Sequence, residues 1–376
     1  MSAAVQVVLR RGLVALGVAL AVSGCSMFGG PDRPKPAELP ANPATLGIRP
    51  AWTNRIGEVS FPLVVNVTGN QLAVAADDGT VAVLDAATGR DLWRASVGAP
   101  IAAGVGSDGK VAGVLTPANQ VVALSQGKVL WGGKVPGPGY TAPLVAGNRV
   151  FVLAADRSVV AFDGQTGRRL WNQSRPGEPL VLRQAGVLLA VGDTLVAGQG
   201  GRMAGLNPSN GSIRWEAPIA TPRGTNDVER LVDLVGRASR VGNSVCARAF
   251  SAAVGCVGAG PGPGAWAQPA NGGEGVSGDE RFVIGTESDG RVIAWRRDNG
   301  ERAWVHDKLL YRGLSTPLVV GSSVAVGDNT GLLHVLSRDD GSLRTRVGTD
   351  GSAVAAAPVV AGTTLVVVTP SGGVHA

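Results

Sequence analysis

Along residues 50 to 376, short apolar runs alternate with turn residues in units that repeat. A Pro followed by an apolar run opens most units, as in FPLVV (61–65), APIAA (99–103), APLVA (142–146), EPLVL (178–182), TPLVV (316–320) and APVVA (357–361). Downstream comes a turn carrying Gly, at DDG (77–79), QGG (199–201), SDG (288–290) and NTG (329–331). Hairpins need positive φ there, which Gly and Asn supply. Ten residues later stands a second Gly, and four residues beyond it a Trp. Each unit therefore reads strand, strand, Asp-Gly type turn, strand, Gly turn, strand ending near Trp. That predicts four antiparallel strands per unit.

Placing the Trp of LDAATGRDLW (84–93) in register aligns Trp52, Trp93, Trp131, Trp171, Trp215, Trp266 and Trp304, at spacings of 41, 38, 40, 44, 51 and 38; one further step of 41 reaches Thr345. The Gly four residues earlier recurs as Gly89, Gly127, Gly167, Gly211, Gly262, Gly300 and Gly341. A four-stranded unit cannot bury both faces alone. Radial stacking buries them and leaves only short edges, so the repeat predicts a β-propeller. Seven steps run from Trp52 to Thr345, the C-terminal APVVAGTTLVVVTPSGGVHA supplies three strands of an eighth unit, and PAWTNRIG (50–57) supplies the fourth. The predicted fold is all-β: an eight-bladed β-propeller of four-stranded antiparallel blades, closed by an N-terminal strand. The recurring Trp is expected as a wedge between blades with its N–H bonded to backbone. Trp295 occupies the third-strand place held elsewhere by Leu84, Phe162 and Leu206, and is expected in the core.

The 56 Gly and only 16% charged residues agree with short strands and tight turns. The first residues change the picture more. Two arginines, an apolar run from Gly12 to Val22 and small residues before Cys25 read as a secretory signal, with a run too short to span a bilayer. VSGC (22–25) resembles the lipobox of bacterial lipoproteins, which implies removal of residues 1–24 and acylation of Cys25. Ser26 in place of Asp points by the same resemblance to outer-membrane sorting. Prolines 31, 34, 36, 40, 43 and 50 predict an extended tether over 25–49, leaving residues 50–376 for the propeller. Removing Arg10 and Arg11 leaves 32 basic against 28 acidic residues, a net charge of +4. Without a basic stripe interleaved with aromatics, that mild excess argues against a nucleic-acid partner.

Export also changes how the cysteines read. With Cys25 acylated, Cys246 and Cys256 remain in an oxidising compartment, flanking the predicted hairpin ARAFSAAVG (247–255). A loop centred on Ser251 sets them opposite each other for a disulfide; a two-residue turn at Ser251 and Ala252 puts them on opposite faces.

The phrase A-P-hydrophobic, D-G-x-hydrophobic, A-L-D, T-G-x-x-L-W resembles the pyrroloquinoline-quinone-type propeller repeat over residues 50–376. Together with the lipobox, the Pro-rich tether, YRGLSTPLVVGSSVAVGDNTGLLHVLSRDDG (311–341) and PRGTNDVERLVDL (222–234), it resembles the BamB family of lipoproteins of the outer-membrane β-barrel assembly machinery. The resemblance implies a non-catalytic scaffold that binds the periplasmic POTRA domains of the barrel-inserting subunit BamA. By position it carries partner contact to Leu180, Leu182 and Arg183, entering blade 4, and to Asp233, entering blade 5. Where the family often has a second acid, this chain has Val235. Leu180 and Leu182 fall on one side of an extended segment, and with a neighbouring Arg and acid they suit a small hot spot or, equally, blade core.

Other motifs point elsewhere. GVGSDG (104–109) matches G-x-G-x-x-G, but it lies inside a blade between two predicted strands, without the following helix that phosphate binding needs. His306, His334 and His375 lack ligand spacing, so no metal or cofactor is expected. Two rival functions stand beside the scaffold. One is a periplasmic adaptor whose exposed outer-strand edges capture unfolded outer-membrane proteins by β-augmentation. The other is a quinone-dependent dehydrogenase; the resemblance to such enzymes implies adjacent cysteines and a Ca²⁺-binding acidic cluster, and no two cysteines here are adjacent.

Overall fold

The computed structural model describes residues 34–175, 180–259 and 265–376. The signal segment, Cys25 and Gly262 lie outside them. The chain divides into two units, Met1–Pro36 and Ala37–Ala376; of the first, only 34–36 are described, and they form no regular element. The second contains eight four-stranded antiparallel sheets. Blade 1 pairs Asn66–Thr68, Gln71–Ala75, Thr80–Asp85 and Asp91–Ser96 in order, and blades 2 to 7 repeat this meander. Blade 8 takes Val359–Ala361, Thr364–Val368 and Gly373–His375 from the C-terminus and Thr53–Arg55 as its outer strand. Thr53 pairs with His375 and Arg55 with Gly373.

Strand alternation explains how a blade serves two neighbours. Successive side chains point to opposite faces of a sheet. In blade 1, Val81 and Val83 pack with Ile101, Val114 and Leu124 of blade 2. Ala82 and Leu84 face the other way, onto Val359, Val366 and Val374 of blade 8. The remaining clusters likewise join neighbouring blades, for example Leu115 and Val121 with Val150 and Phe162 between blades 2 and 3. The core is thus a ring of inter-blade layers, so no blade is stable apart from its neighbours.

Five of the repeated Trp clamp successive blades at the rim, whereas the buried Trp215 N–H, expected to do the same, finds no partner among the described residues. Trp131 donates its indole N–H to the Gly164 carbonyl at 3.0 Å, and Trp52, Trp171, Trp266 and Trp304 donate to Ala86, Pro208, Arg297 and Arg338 in the same way. Each acceptor lies in the Gly turn of the following blade. There Gly167 has φ +70°, and a Cβ would strike the Trp131 ring. The turn Gly is therefore required twice, for its backbone conformation and for the aromatic lying over it. Asp85 and Asp163 brace this turn, each carboxylate accepting the backbone N–H and hydroxyl of the Thr three residues on. Thr345 fills the Trp place in blade 7 and is buried, as is Trp295.

Some sequence boundaries move. The inner strands of blades 3, 7 and 8 begin within APLVA, TPLVV and APVVA and that of blade 2 at Ala103, the last residue of APIAA, but those of blades 1 and 4 begin later, at Asn66 and Leu188. FPLVV, the residues of APIAA before Ala103 and residues 180–182 belong to the connections between blades; Leu63, bridged to Gly104, and Ile101 are buried there as core. GVGSDG forms a strand and hairpin turn, between Ala103–Ser107 and Ala112–Thr116. From Ala37 the Pro-rich segment runs along blade 7: Ala37 N–H bonds to Leu310 O, Thr45 N–H to Arg344 O, and Arg346 reaches Pro40 O at 2.8 Å.

Candidate functional site

The residues singled out entering blades 4 and 5 meet at one end of the ring, where inter-blade connections lie beside the turns between second and third strands. Asp233 immediately precedes the inner strand of blade 5, Leu234–Val241. Its carboxylate accepts the Leu182 N–H at 3.1 Å and pairs with the Arg157 guanidinium at 3.3 Å. The same guanidinium reaches the Leu180 carbonyl at 3.4 Å. Arg157 comes from the turn of blade 3, with φ +65° at the place where blade 1 has Gly79 and blade 6 has Gly290. Three blades are thereby tied together through one carboxylate.

The exposures of the four residues differ. Leu180 is 38% exposed, Leu182 is half-buried beside Asp233, and Arg183 is exposed with its guanidinium 5.9 Å from the Tyr140 ring centroid. Leu182, Tyr140, Leu153, Arg157 and Asp233 line a shallow cleft of about 50 Å³. The geometry brings Leu180, Leu182 and Asp233 together and turns Arg183 toward Tyr140. Val235, at the place of the family's second acid, is buried, so nothing there replaces the missing carboxylate.

The loop 221–233 leads into Asp233 at the cleft. Glu229 organises it by accepting the Thr225 N–H at 2.8 Å, a bond that holds its pKa below the usual carboxylate range; Asn226 caps the Glu229 N–H in return. Val228 stands at the tip, 73% exposed. On the other flank Arg175 forms a bidentate pair with Glu216, lowering the Glu216 pKa. Sequence reading missed Arg157, Tyr140 and Val228. A signal existed for the first, since an Arg at a turn place that otherwise favours Gly or Asn calls for a reason; nothing local marked the other two.

Cys246 and Cys256 lie directly opposite each other on the second and third strands of blade 5 and are joined as a disulfide. Ala249 pairs with Ala253, so the loop is centred on Ser251, the first of the two arrangements considered. Among the described residues no three His, Cys, Asp or Glu side chains converge as a metal site. The described residues do not fit the Ca²⁺ and quinone arrangement that the resemblance to quinone-dependent dehydrogenases implies.

Comparisons with known proteins agree with this picture. The family model described as outer membrane protein assembly factor BamB matches residues 77–306. Proteins named outer membrane protein assembly factor BamB are similar to this chain in Bordetella pertussis, 36% identical over 96% of this chain and 95% of that protein, and in Burkholderia pseudomallei, 38% identical over 90% of each. Among solved structures, BamB from Moraxella catarrhalis superposes with a TM-score of 0.78 at 22% identity, covering 87% of this chain and 98% of that one. A quinohemoprotein alcohol dehydrogenase from Pseudomonas putida reaches 0.67 at 13% identity over 88% of this chain and 73% of its own. At such identities the structural likeness concerns the fold alone.

Proposed function

The chain belongs to the outer membrane protein assembly factor BamB family, and we propose that it is a non-catalytic scaffold of the β-barrel assembly machinery that binds the POTRA domains of BamA. In this reading Cys25 carries the lipid anchor at the periplasmic face of the outer membrane. The observation that carries it is the cleft at Asp233. Three blades are pinned by one carboxylate, while Leu180 remains exposed three residues before Arg183, and Val228 is exposed in the loop that leads to Asp233. A rigid base with protruding apolar side chains and a flanking cation suits docking, because little conformational freedom is lost on binding. Co-purification from detergent-solubilised outer membranes tests it. Wild type is expected to recover the barrel-inserting subunit, and Arg183→Glu or Leu180→Ala with Val228→Asp to lose it; equal recovery removes these residues from the interface.

A second reading has one observation in its favour. The outer strand of blade 7, Leu343–Gly348, already takes a segment against its edge, with Thr45 N–H bonded to Arg344 O at 2.8 Å and the Asn42 side-chain amide donating to Arg346 O at 3.0 Å. Other outer edges would hold an unfolded barrel strand by the same main-chain bonds. If so, unfolded barrel protein binds the isolated propeller, and Leu180→Ala with Arg183→Ala leaves that binding unchanged.

A further inference from the structure

Segments from all eight blades enclose a central lumen of about 1130 Å³. That exceeds the roughly 300–1,000 Å³ of ordinary ligand pockets, so the space holds water around any guest. Its charged lining residues, among those described, are Arg183, Arg237 and Glu274. Two of them are engaged with protein. Arg183 lies over Tyr140. Glu274 accepts the Thr316 hydroxyl at 3.0 Å and sits in the field of the buried Arg248, whose own partner is Glu287 at 3.1 Å.

Arg237 differs. It projects from the inner strand of blade 5 at an irregularity between Val235 and Ser239, of the kind that re-aims a side chain. Its backbone packs so closely on Gly275 of blade 6 that a Cβ there has no room, so its position is fixed by the ring. The guanidinium extends to the entry of blade 8, where Nη1 reaches the Pro358 carbonyl at 3.5 Å, the long limit of a hydrogen bond. No carboxylate of a described residue stands within ion-pair range. Partial desolvation inside the lumen pushes its pKa down, and no acid among the described residues offsets this. An arginine carries five donors in a planar fork matched to carboxylate and phosphate. Arg237 is itself exposed, and most of that fork faces the lumen without a protein partner.

We propose that the lumen is a binding site for a carboxylate or phosphate oxyanion, with the Arg237 guanidinium as its anchor and Arg183 on the neighbouring blade adding positive potential. The oxyanion is either a free small anion or an acidic side chain of an entering peptide.

Calorimetric titration of the full chain with citrate, with inorganic phosphate and with a blocked aspartate-rich hexapeptide distinguishes the sources. Saturable binding of citrate or phosphate supports a free anion, and binding of the peptide alone supports a peptide carboxylate. In either case Arg237→Gln is expected to weaken binding about tenfold or more, the loss typical of a charged hydrogen-bonded pair. It should also unfold no more readily than wild type without ligand, because Arg237 is exposed to the lumen and gives up only one long bond, to the Pro358 carbonyl. In the wild type, the Arg237 Nε–H resonance should shift with the same midpoint as the heat, a readout that does not depend on the variant folding. Absence of saturable binding by all three probes, binding by Arg237→Gln equal to wild type, or a resonance that does not move overturns the proposal. Recovery of the assembly partner by Arg237→Gln is expected to equal wild type, which keeps this site separate from the cleft at Asp233.

Discussion

At the scale of single residues, two positions show how a local choice becomes a property of the ring. Gly167 combines φ +70° with the Trp131 ring lying directly on its Cα, whereas Gly192, at φ +57°, has open space around it. Gly192→Ala then costs only backbone strain, about 1 kcal/mol, while Gly167→Ala adds displacement of the indole for a total of roughly 2–4 kcal/mol. Urea unfolding of the two variants separates these contributions. Asp328 is the second case. It is buried in blade 7, where burial raises its pKa, but bonds from His334 at 3.0 Å, Thr330, the Leu332 N–H and Arg312 at 2.8 Å outweigh burial and hold it well below the usual carboxylate range. A depressed folded-state pKa contributes stability that is full above the unfolded value of about 4 and is lost as pH falls further. Asp328→Asn is expected to be clearly less stable than wild type at pH 7, with the gap narrowing below about pH 4 as the unfolded chain's carboxylate takes up a proton while the native one stays ionised. Urea midpoints at the two pH values read this out; a gap that stays constant means the carboxylate charge is not what stabilises blade 7.

At the scale of elements, blade 5 carries the most deviations from the repeat. Its second and third strands are cross-linked by Cys246 and Cys256, ten residues apart and both buried beside Arg297. Closing so short a loop limits the unfolded chain, and Cys246→Ala with Cys256→Ala is expected to lower stability by roughly 2–3 kcal/mol. Reductant should then lower the wild-type midpoint toward that of the double variant and leave the variant itself unmoved. The blade also bears Asp233 and Arg237, so both the cleft and the lumen site depend on its placement. The hairpin was legible in sequence, because cysteines flanked a small-residue turn. The register was not, since a loop of two or three residues reads alike until cross-strand pairing chooses. In the same way EPLVL read as an inner strand from its apolar run, yet Leu180 and Leu182 belong to the connection because Asp233 and Arg157 take up its backbone groups.

For the whole molecule, the closing strand is the controlling feature. Thr53–Arg55 pairs with Gly373–His375, and backbone bonds between Ala51 and Ala376 and between Ala376 and Trp52 extend the seam. The cluster between blades 8 and 1 draws residues from both ends of the chain, from Ile56 to Val374. A chain beginning at Gly57 is expected to lose the single cooperative unfolding transition and to become susceptible to limited proteolysis in blades 8 and 1, because an open ring exposes two large apolar faces. Supplying residues 50–57 as a peptide should restore part of the protection. The sequence by itself determined the blade number, the strand order, the closure and the Trp wedges, because each follows from a short pattern repeated at nearly constant spacing and a repeat needs only its neighbours to bury its faces. It also marked Leu180, Leu182, Arg183 and Asp233, by resemblance to a family. Only the tertiary structure decided that Arg157 neutralises Asp233 from another blade, that Val228 is left exposed and that Arg237 faces the lumen without an acid. Those facts join residues tens of positions apart that share no period, and only ring closure brings them together.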